Sequence, residues 1–228
     1  MKKYLLTIFL FLGILTATAQ TSNTIPFQDE IDVFIKKDSI AMPAANSILF
    51  VGSSSFNYWK DISNYFPGYP IINRGFGGSS LTDIIHFNQE TILKYKPKQI
   101  YIYCGENDIA ASDTITPQIV FERFKTLHSI IRTHLGNKIP VLYVSIKPSV
   151  ARWSMEEKFV AANTLIRDFI NKQKHTQFLD VHSAMLDSNG MVYKDIFIAD
   201  MLHMNAKGLC HMAKDNRTYL SEGIVKLL

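Results

Sequence analysis

Five short apolar runs, separated by longer amphipathic stretches, constrain this chain more than any other feature. They are Ser47–Val51, Pro70–Asn73, Gln99–Tyr103, Val141–Ile146 and Gln177–Val181. Each is rich in β-branched or aromatic residues with little polar alternation, the pattern of strands covered on both faces. The stretches between them carry apolar residues at helical spacing. Helices are expected from Phe27 to Ile40, from Leu81 to Tyr95 after a Ser80 cap, from Pro117 to His134, from Met155 to Gln173, and from Ala206 to Leu227. Pro117 stands at a first-turn position, where its missing N–H does no harm. Strand and helix alternating in this way imply an α/β fold with a parallel sheet. In such sheets ligands bind outside the carboxyl ends of the strands.

The first residues stand apart from that pattern. Lys2 and Lys3 precede an apolar stretch from Tyr4 to Leu15, then the small residues Ala17, Thr18 and Ala19. This is the layout of a secretory signal peptide, with cleavage expected near Ala19. The apolar stretch is short for a bilayer span, which needs roughly 20 residues. Residues 1–19 are therefore read as a signal peptide and residues 20–228 as one domain of an exported, periplasmic or secreted protein. No stable membrane insertion is expected. Without Lys2 and Lys3 the formal charge of +4 falls by two, and the remaining basic residues are scattered. Nothing in that balance calls for a nucleic-acid partner. An exported chain can oxidise its cysteines. Cys104, however, closes a very apolar run and reads as a small buried thiol, whatever the state of Cys210.

The strand ends carry the chemistry. The first run ends in Gly52-Ser53-Ser54-Ser55, where a serine can sit at a helix start that favours negative charge. The same residues also suit a plain turn with a helix cap. The second ends in a loop containing Gly75, Gly77 and Gly78, which can expose backbone N–H groups to a ligand. A phosphate-binding reading of that loop lacks its lysine partner. The third ends in Gly105-Glu106-Asn107-Asp108, and an Asn side chain can donate to an oxyanion. Beyond the fifth lies Asp200-x-x-His203, where a carboxylate can orient an imidazole. Serine, glycine loop, asparagine and Asp-x-x-His, in that order at successive strand ends, make up a nucleophile, an oxyanion hole and a base.

Those four blocks resemble the SGNH hydrolases, also called GDSL-type esterases and lipases, over nearly all of residues 20–228. The resemblance implies a three-layer α/β/α, flavodoxin-like fold with a five-stranded sheet in the order 2-1-3-4-5. It implies Ser54 as nucleophile, His203 as base and Asp200 as the residue orienting it. It implies an oxyanion hole built from the backbone N–H of Ser54, the backbone N–H of Gly78 and the side chain of Asn107. One position departs from the family, which usually has Gly-Asp-Ser where this chain has Gly52-Ser53-Ser54.

No metal or organic cofactor is expected, because His182, His203 and His211 lack metal-ligand spacing. The expected substrate is a small-molecule or glycan ester with a short acyl group, acetyl by family resemblance. Trp59, Arg152 and Trp153 are candidates for a sugar-binding rim, although the two tryptophans also suit core packing. Two alternatives remain open: a lysophospholipase or thioesterase, and a catalytically silent carbohydrate-binding protein of the same fold. Oligomeric state leaves no trace in the sequence.

Overall fold

The computed structural model of the chain describes residues 25–212. The expected signal peptide, and the expected last helix beyond Met212, lie outside the described residues. In chain order the elements are α1 (Gln28–Ile40), β1 (Ile48–Gly52), α2 (Ser54–Asn57), α3 (Ile62–Tyr65), β2 (Ile71–Gly75), α4 (Leu81–His86), α5 (Asn88–Thr91), β3 (Gln99–Tyr103), α6 (Glu106–Ala110), α7 (Pro117–Leu135), β4 (Val141–Val144), α8 (Glu156–Ile170) and β5 (Thr176–Leu179). Residues 206–212 are helical.

The five strands form one sheet in the order β2-β1-β3-β4-β5, and every pair is parallel. This is the architecture read from the sequence, and alternation within each strand explains its apolar character. Leu49, Val51, Ile100, Ile102, Val141 and Tyr143 face a core shared with Ile31 of α1, Leu81 and Ile84 of α4, Phe124 of α7 and Phe159 of α8. Ile48, Phe50, Tyr101, Tyr103, Leu142 and Val144 face a second core with Phe56, Trp59, Ile62, Phe66, Met185 and Met212. A strand buried on both faces needs apolar residues at every position.

The parallel register aligns the strand ends along one edge. Gly52 stands opposite both Gly75 and Tyr103. The loops that follow β1, β2 and β3 therefore open side by side.

Helix ends follow their caps. Thr116 Oγ1 accepts from the Ile119 N–H at 3.3 Å ahead of α7, with Pro117 in the first turn. Ser80 and Asp83 form a reciprocal capping box at α4. The helix expected from Leu81 to Tyr95 is instead divided into α4, α5 and a 3-10 turn at Leu93–Tyr95. Asn88 Nδ2 donates to the Ile85 carbonyl at 2.6 Å and Thr91 Oγ1 to the Phe87 carbonyl at 2.7 Å. Side chains that compete for backbone carbonyls in this way break a helix whose apolar periodicity continues. Among the described residues no helix is long and apolar enough to cross a membrane. Cys104 and Cys210 are both free thiols, the first buried and the second exposed.

Candidate active site

The chain reaches Ser54 through a close packing of β1 on β3. A Cβ on Gly52 would lie 2.1 Å from the Tyr103 carbonyl oxygen, so only glycine fits there. The Ser53 N–H then donates to that same carbonyl at 3.0 Å, and the chain turns into α2. Phe56 and Trp59 enter the aromatic core around Phe50, with ring centroids 5.3 and 6.4 Å from it. Phe56 lies about 200° around the helix from Ser54. Burying Phe56 therefore turns Ser54 toward the strand-end edge. Ser53 and Ser55 are buried, and Ser54 is the one of the three that is half-buried.

Trp59 corrects a sequence expectation. It is fully buried, packed against Phe56, Tyr65 and Phe66 as well as Phe50. The aromatic mass that suggested a sugar platform instead holds α2 on the sheet. Trp153 is half-buried against the same core. Among the described residues no hydrogen bond or ring contact joins it to Ser54 or His203.

The Asp200–His203 turn comes back over α2. His203 Nε2 lies 3.0 Å from Ser54 Oγ, and His203 Nδ1 lies 2.6 Å from Asp200 Oδ2. Asp200 Oδ1 also accepts from the backbone N–H groups of Leu202 and His203, both at 2.9 Å. Burial alone would raise the Asp200 carboxyl. The donors outweigh it and hold the group at about 2, so it is ionised at neutral pH. The Tyr58 ring meets the His203 imidazole edge-on, 4.7 Å between centroids. Tyr58 stands four residues after Ser54 on a helical turn, a spacing that puts both on one face. The i, i+4 spacing of Ser54 and Tyr58 carries that signal in the sequence itself.

The donor groups converge from the neighbouring loops. A Cβ built on Gly78 would be 3.8 Å from Asn107 Nδ2, so these two loops meet beside the serine edge. Among the described residues the Gly78 N–H and the Ser54 N–H have no protein acceptor. Asn107 Nδ2 spends one hydrogen on the Ser79 carbonyl at 3.1 Å, which leaves the other for a ligand. Its Oδ1 accepts from Arg152 Nη1 at 2.9 Å. The carboxamide is thereby fixed at both ends.

Arg152 belongs to a buried charge cluster that local sequence gave no reason to assemble. Its Nη1 also lies 3.2 Å from Glu106 Oε1, and Lys147 Nζ lies 3.2 Å from Glu106 Oε2. Tyr103 donates its hydroxyl to Glu106 Oε2 at 2.8 Å. Burial pulls the Lys147 ammonium down, while Glu106 works against that shift. Lys147 and Arg152 thus place cations beside Asn107, with Glu106 paired to both and the Asp200 carboxylate acting on Lys147 as well. A hydroxyl in reach of an oriented imidazole, facing N–H donors, can attack a carbonyl and stabilise the resulting oxyanion. Among the described residues no group of three His, Cys, Asp or Glu side chains is arranged to hold a metal ion.

Comparison with known proteins identifies the family and the fold. The sequence profile of the GDSL-like Lipase/Acylhydrolase family matches residues 38–209. A GDSL-like lipase from Bacteroides thetaiotaomicron VPI-5482 has the same fold, with a TM-score of 0.72 and 16% identity over 85% of this chain and 98% of that one. An acetyl-xylooligosaccharide esterase variant from Geobacillus stearothermophilus superposes with a TM-score of 0.62 and 14% identity, over 79% and 95% of the two chains. A curated relative, the N-acylneuraminate cytidylyltransferase of Escherichia coli O18:K1:H7, is 25% identical over 170 residues, 72% of this chain. The chain spans only about 38% of that relative's length. By its family match and its sheet, this chain belongs to the GDSL-like lipase/acylhydrolase family.

Proposed function

We propose that the chain is an exported esterase that releases a short acyl group, acetyl above all, from a carbohydrate, with Ser54, His203 and Asp200 as its triad. The observation that carries this reading is the unbroken line from Ser54 Oγ through the imidazole to Asp200, with links of 3.0 and 2.6 Å. His203 Nε2 takes the hydroxyl proton as Ser54 Oγ bonds to the ester carbonyl carbon. The carbonyl electrons move to oxygen, where Ser54 N–H, Gly78 N–H and Asn107 Nδ2 donate to it. Collapse of this intermediate breaks the bond to the alcohol, which leaves with the proton from His203. Water then repeats the sequence on the acyl-serine and releases the acid.

The short acyl and sugar parts of the reading have separate support. The Asp200 side chain is 42% exposed, so the triad opens directly to solvent, as suits a hydrated and bulky alcohol portion. The Geobacillus neighbour, similar in fold, is described as acting on acetyl-xylooligosaccharides. A lysophospholipase or thioesterase is the second reading. It is favoured by the exposed apolar residues Tyr58, Ile198 and Met201 around the His203 loop. Hydrolysis rates across acetyl, butyryl and long-acyl esters, with acetylated oligosaccharides beside them, separate the two. A preference for acetyl supports the first reading, and a preference for long chains defeats it. Export rests on residues 1–19, and a mature protein beginning at Gln20 in the exported fraction tests it.

A further inference from the structure

α1 mostly precedes the segment that matches the family profile, yet it reaches the loop expected to supply an oxyanion donor. Glu30 Oε2 accepts from the Gly77 N–H at 3.0 Å and from Asn57 Nδ2 at 2.9 Å. Gly77 is the residue before Gly78, and Asn57 is the last residue of α2, which begins at Ser54. One carboxylate oxygen thus ties the glycine loop to the serine helix across 47 and 27 positions of sequence. Phe27 closes the same contact from above, its ring edge-on to Phe76 at 5.6 Å. A Cβ on Gly77 would fall 2.4 Å from the Phe27 ring and 2.7 Å from Glu30 Oε1. Gly77 also has a positive φ of 33°, so its lack of a side chain answers to the backbone and to α1 together.

The peptide that carries the Gly78 N–H is one unit along from the N–H that Glu30 holds. Other ties of this loop come from inside the matched segment: Phe76 N–H donates to the Gly52 carbonyl at 3.0 Å, Ser79 N–H to the Phe76 carbonyl at 3.4 Å and Asn107 Nδ2 to the Ser79 carbonyl at 3.1 Å. Asn73 Oδ1 accepts from Gly75 N–H, Ser79 Oγ donates to the Gly52 carbonyl, and Asp108 Oδ2 accepts from Leu81 N–H. None of them touches the Gly77–Gly78 peptide. The family's usual aspartate at position 53 is a buried serine in this chain. In this chain the carboxylate that bonds both segments comes from α1.

We infer that Glu30 is a positioning residue for hydrolysis, which sets the Gly78 N–H against Ser54 by bridging Gly77 to Asn57. The inference rests on the proposed roles of Ser54 and Gly78. It separates from a general stabilising role because α1 has a second mooring. Asp38, near its other end, pairs with Arg74 at 2.5 Å and with Lys94 at 2.6 Å. Loss of Glu30 therefore leaves the helix attached while freeing the loop.

The test compares Glu30→Leu, Glu30→Gln and the core variant Ile31→Val on the same helix, all in the full chain. Glu30→Leu is expected to lower kcat about ten- to a hundredfold, less than deleting an oxyanion donor outright, with KM within about threefold. Backbone hydrogen exchange in the loop from Asn73 to Ser80 should quicken alongside. Glu30→Gln keeps one acceptor oxygen and should recover most of kcat. Ile31→Val should lower the unfolding temperature without a matching fall in kcat. An unchanged kcat in Glu30→Leu overturns the inference, as does a fall that Ile31→Val reproduces at equal loss of stability. Wild-type turnover that survives Ser54→Ala registers separately as failure of the triad reading, and it overturns this inference with it.

Discussion

Arg152 Nη1 donates to Asn107 Oδ1 at 2.9 Å, and this bond decides which way the Asn107 carboxamide faces. With its oxygen held by the guanidinium, the amide nitrogen must face the Ser79 carbonyl and the serine edge. A flipped carboxamide would present an acceptor to a developing oxyanion. Arg152→Ala is expected to lower kcat about tenfold or more, toward the ~10²–10³ loss that follows removal of an oxyanion donor. KM should move little. Arg152→Lys keeps the charge without the planar fork and should recover activity only in part. Steady-state kinetics on a short-chain ester decide it, and a rise in KM with unchanged kcat would contradict the arrangement.

Asp200 anchors the other end of the relay. Its three N–H donors, His203 Nδ1 among them, hold it ionised at neutral pH. Asp200→Asn keeps the shape but favours the wrong imidazole tautomer, which in such triads lowers turnover by up to roughly 10⁴. The group's folded value is depressed, so its contribution to stability is present above pH 3.8 and fades as pH falls toward about 2. Protonation of Asp200 itself should therefore add no limb to the pH–rate profile above about pH 4. An Asp200 carboxyl carbon shift that titrates above about pH 4, followed by NMR, would show otherwise.

Trp59 is expected to matter for stability and not for substrate affinity. Removing a fully buried tryptophan leaves a cavity in the aromatic core beneath α2. Trp59→Ala should lose about 3–5 kcal/mol in denaturant unfolding. Trp59→Phe should lose less, since it also removes an indole N–H that has no partner among the described residues. A stability near wild type in Trp59→Ala, with KM for a sugar ester raised, would restore the rim reading.

His128 gives the fold an acid sensitivity remote from the strand-end edge. Burial, with Arg132 beside it, pulls the imidazole from 6.5 down to about 4. Between those values the unfolded chain binds a proton that the folded chain refuses. This group's contribution is therefore complete above pH 6.5 and shrinks as pH falls to about 4, by up to roughly 3 kcal/mol. His128→Gln should flatten the fall in stability across that window, measured by urea unfolding at stepped pH. An equally steep fall in the variant would rule His128 out as its source.

The sheet was legible because parallel strands buried on both faces leave runs of apolar residues with clear ends. The candidate site was legible at those ends: Ser54, Gly78, Asn107 and His203 each follow a strand or lie on the returning turn. Glu30 was not legible as a partner of the site, and Arg152 was legible as a rim candidate but not as the partner of Asn107. Their bonds to Gly77 and Asn107 cross 47 and 45 positions, and nothing local to either residue announces them. Trp59 misled because an aromatic side chain near a serine suits either a platform or a core. The periodicity over Leu81–Tyr95 misled because it reports a buried face and is silent on Asn88 and Thr91, whose side chains take the carbonyls.

The central claim is that Ser54, and neither neighbouring serine, attacks the ester. Labelling the intact protein with a fluorophosphonate probe, followed by peptide mass mapping, measures this directly. The expected result is one adduct, on Ser54, lost together with ester hydrolysis in Ser54→Ala while the variant remains folded. An adduct on Ser53 or Ser55, or hydrolysis that persists undiminished in Ser54→Ala, would contradict it.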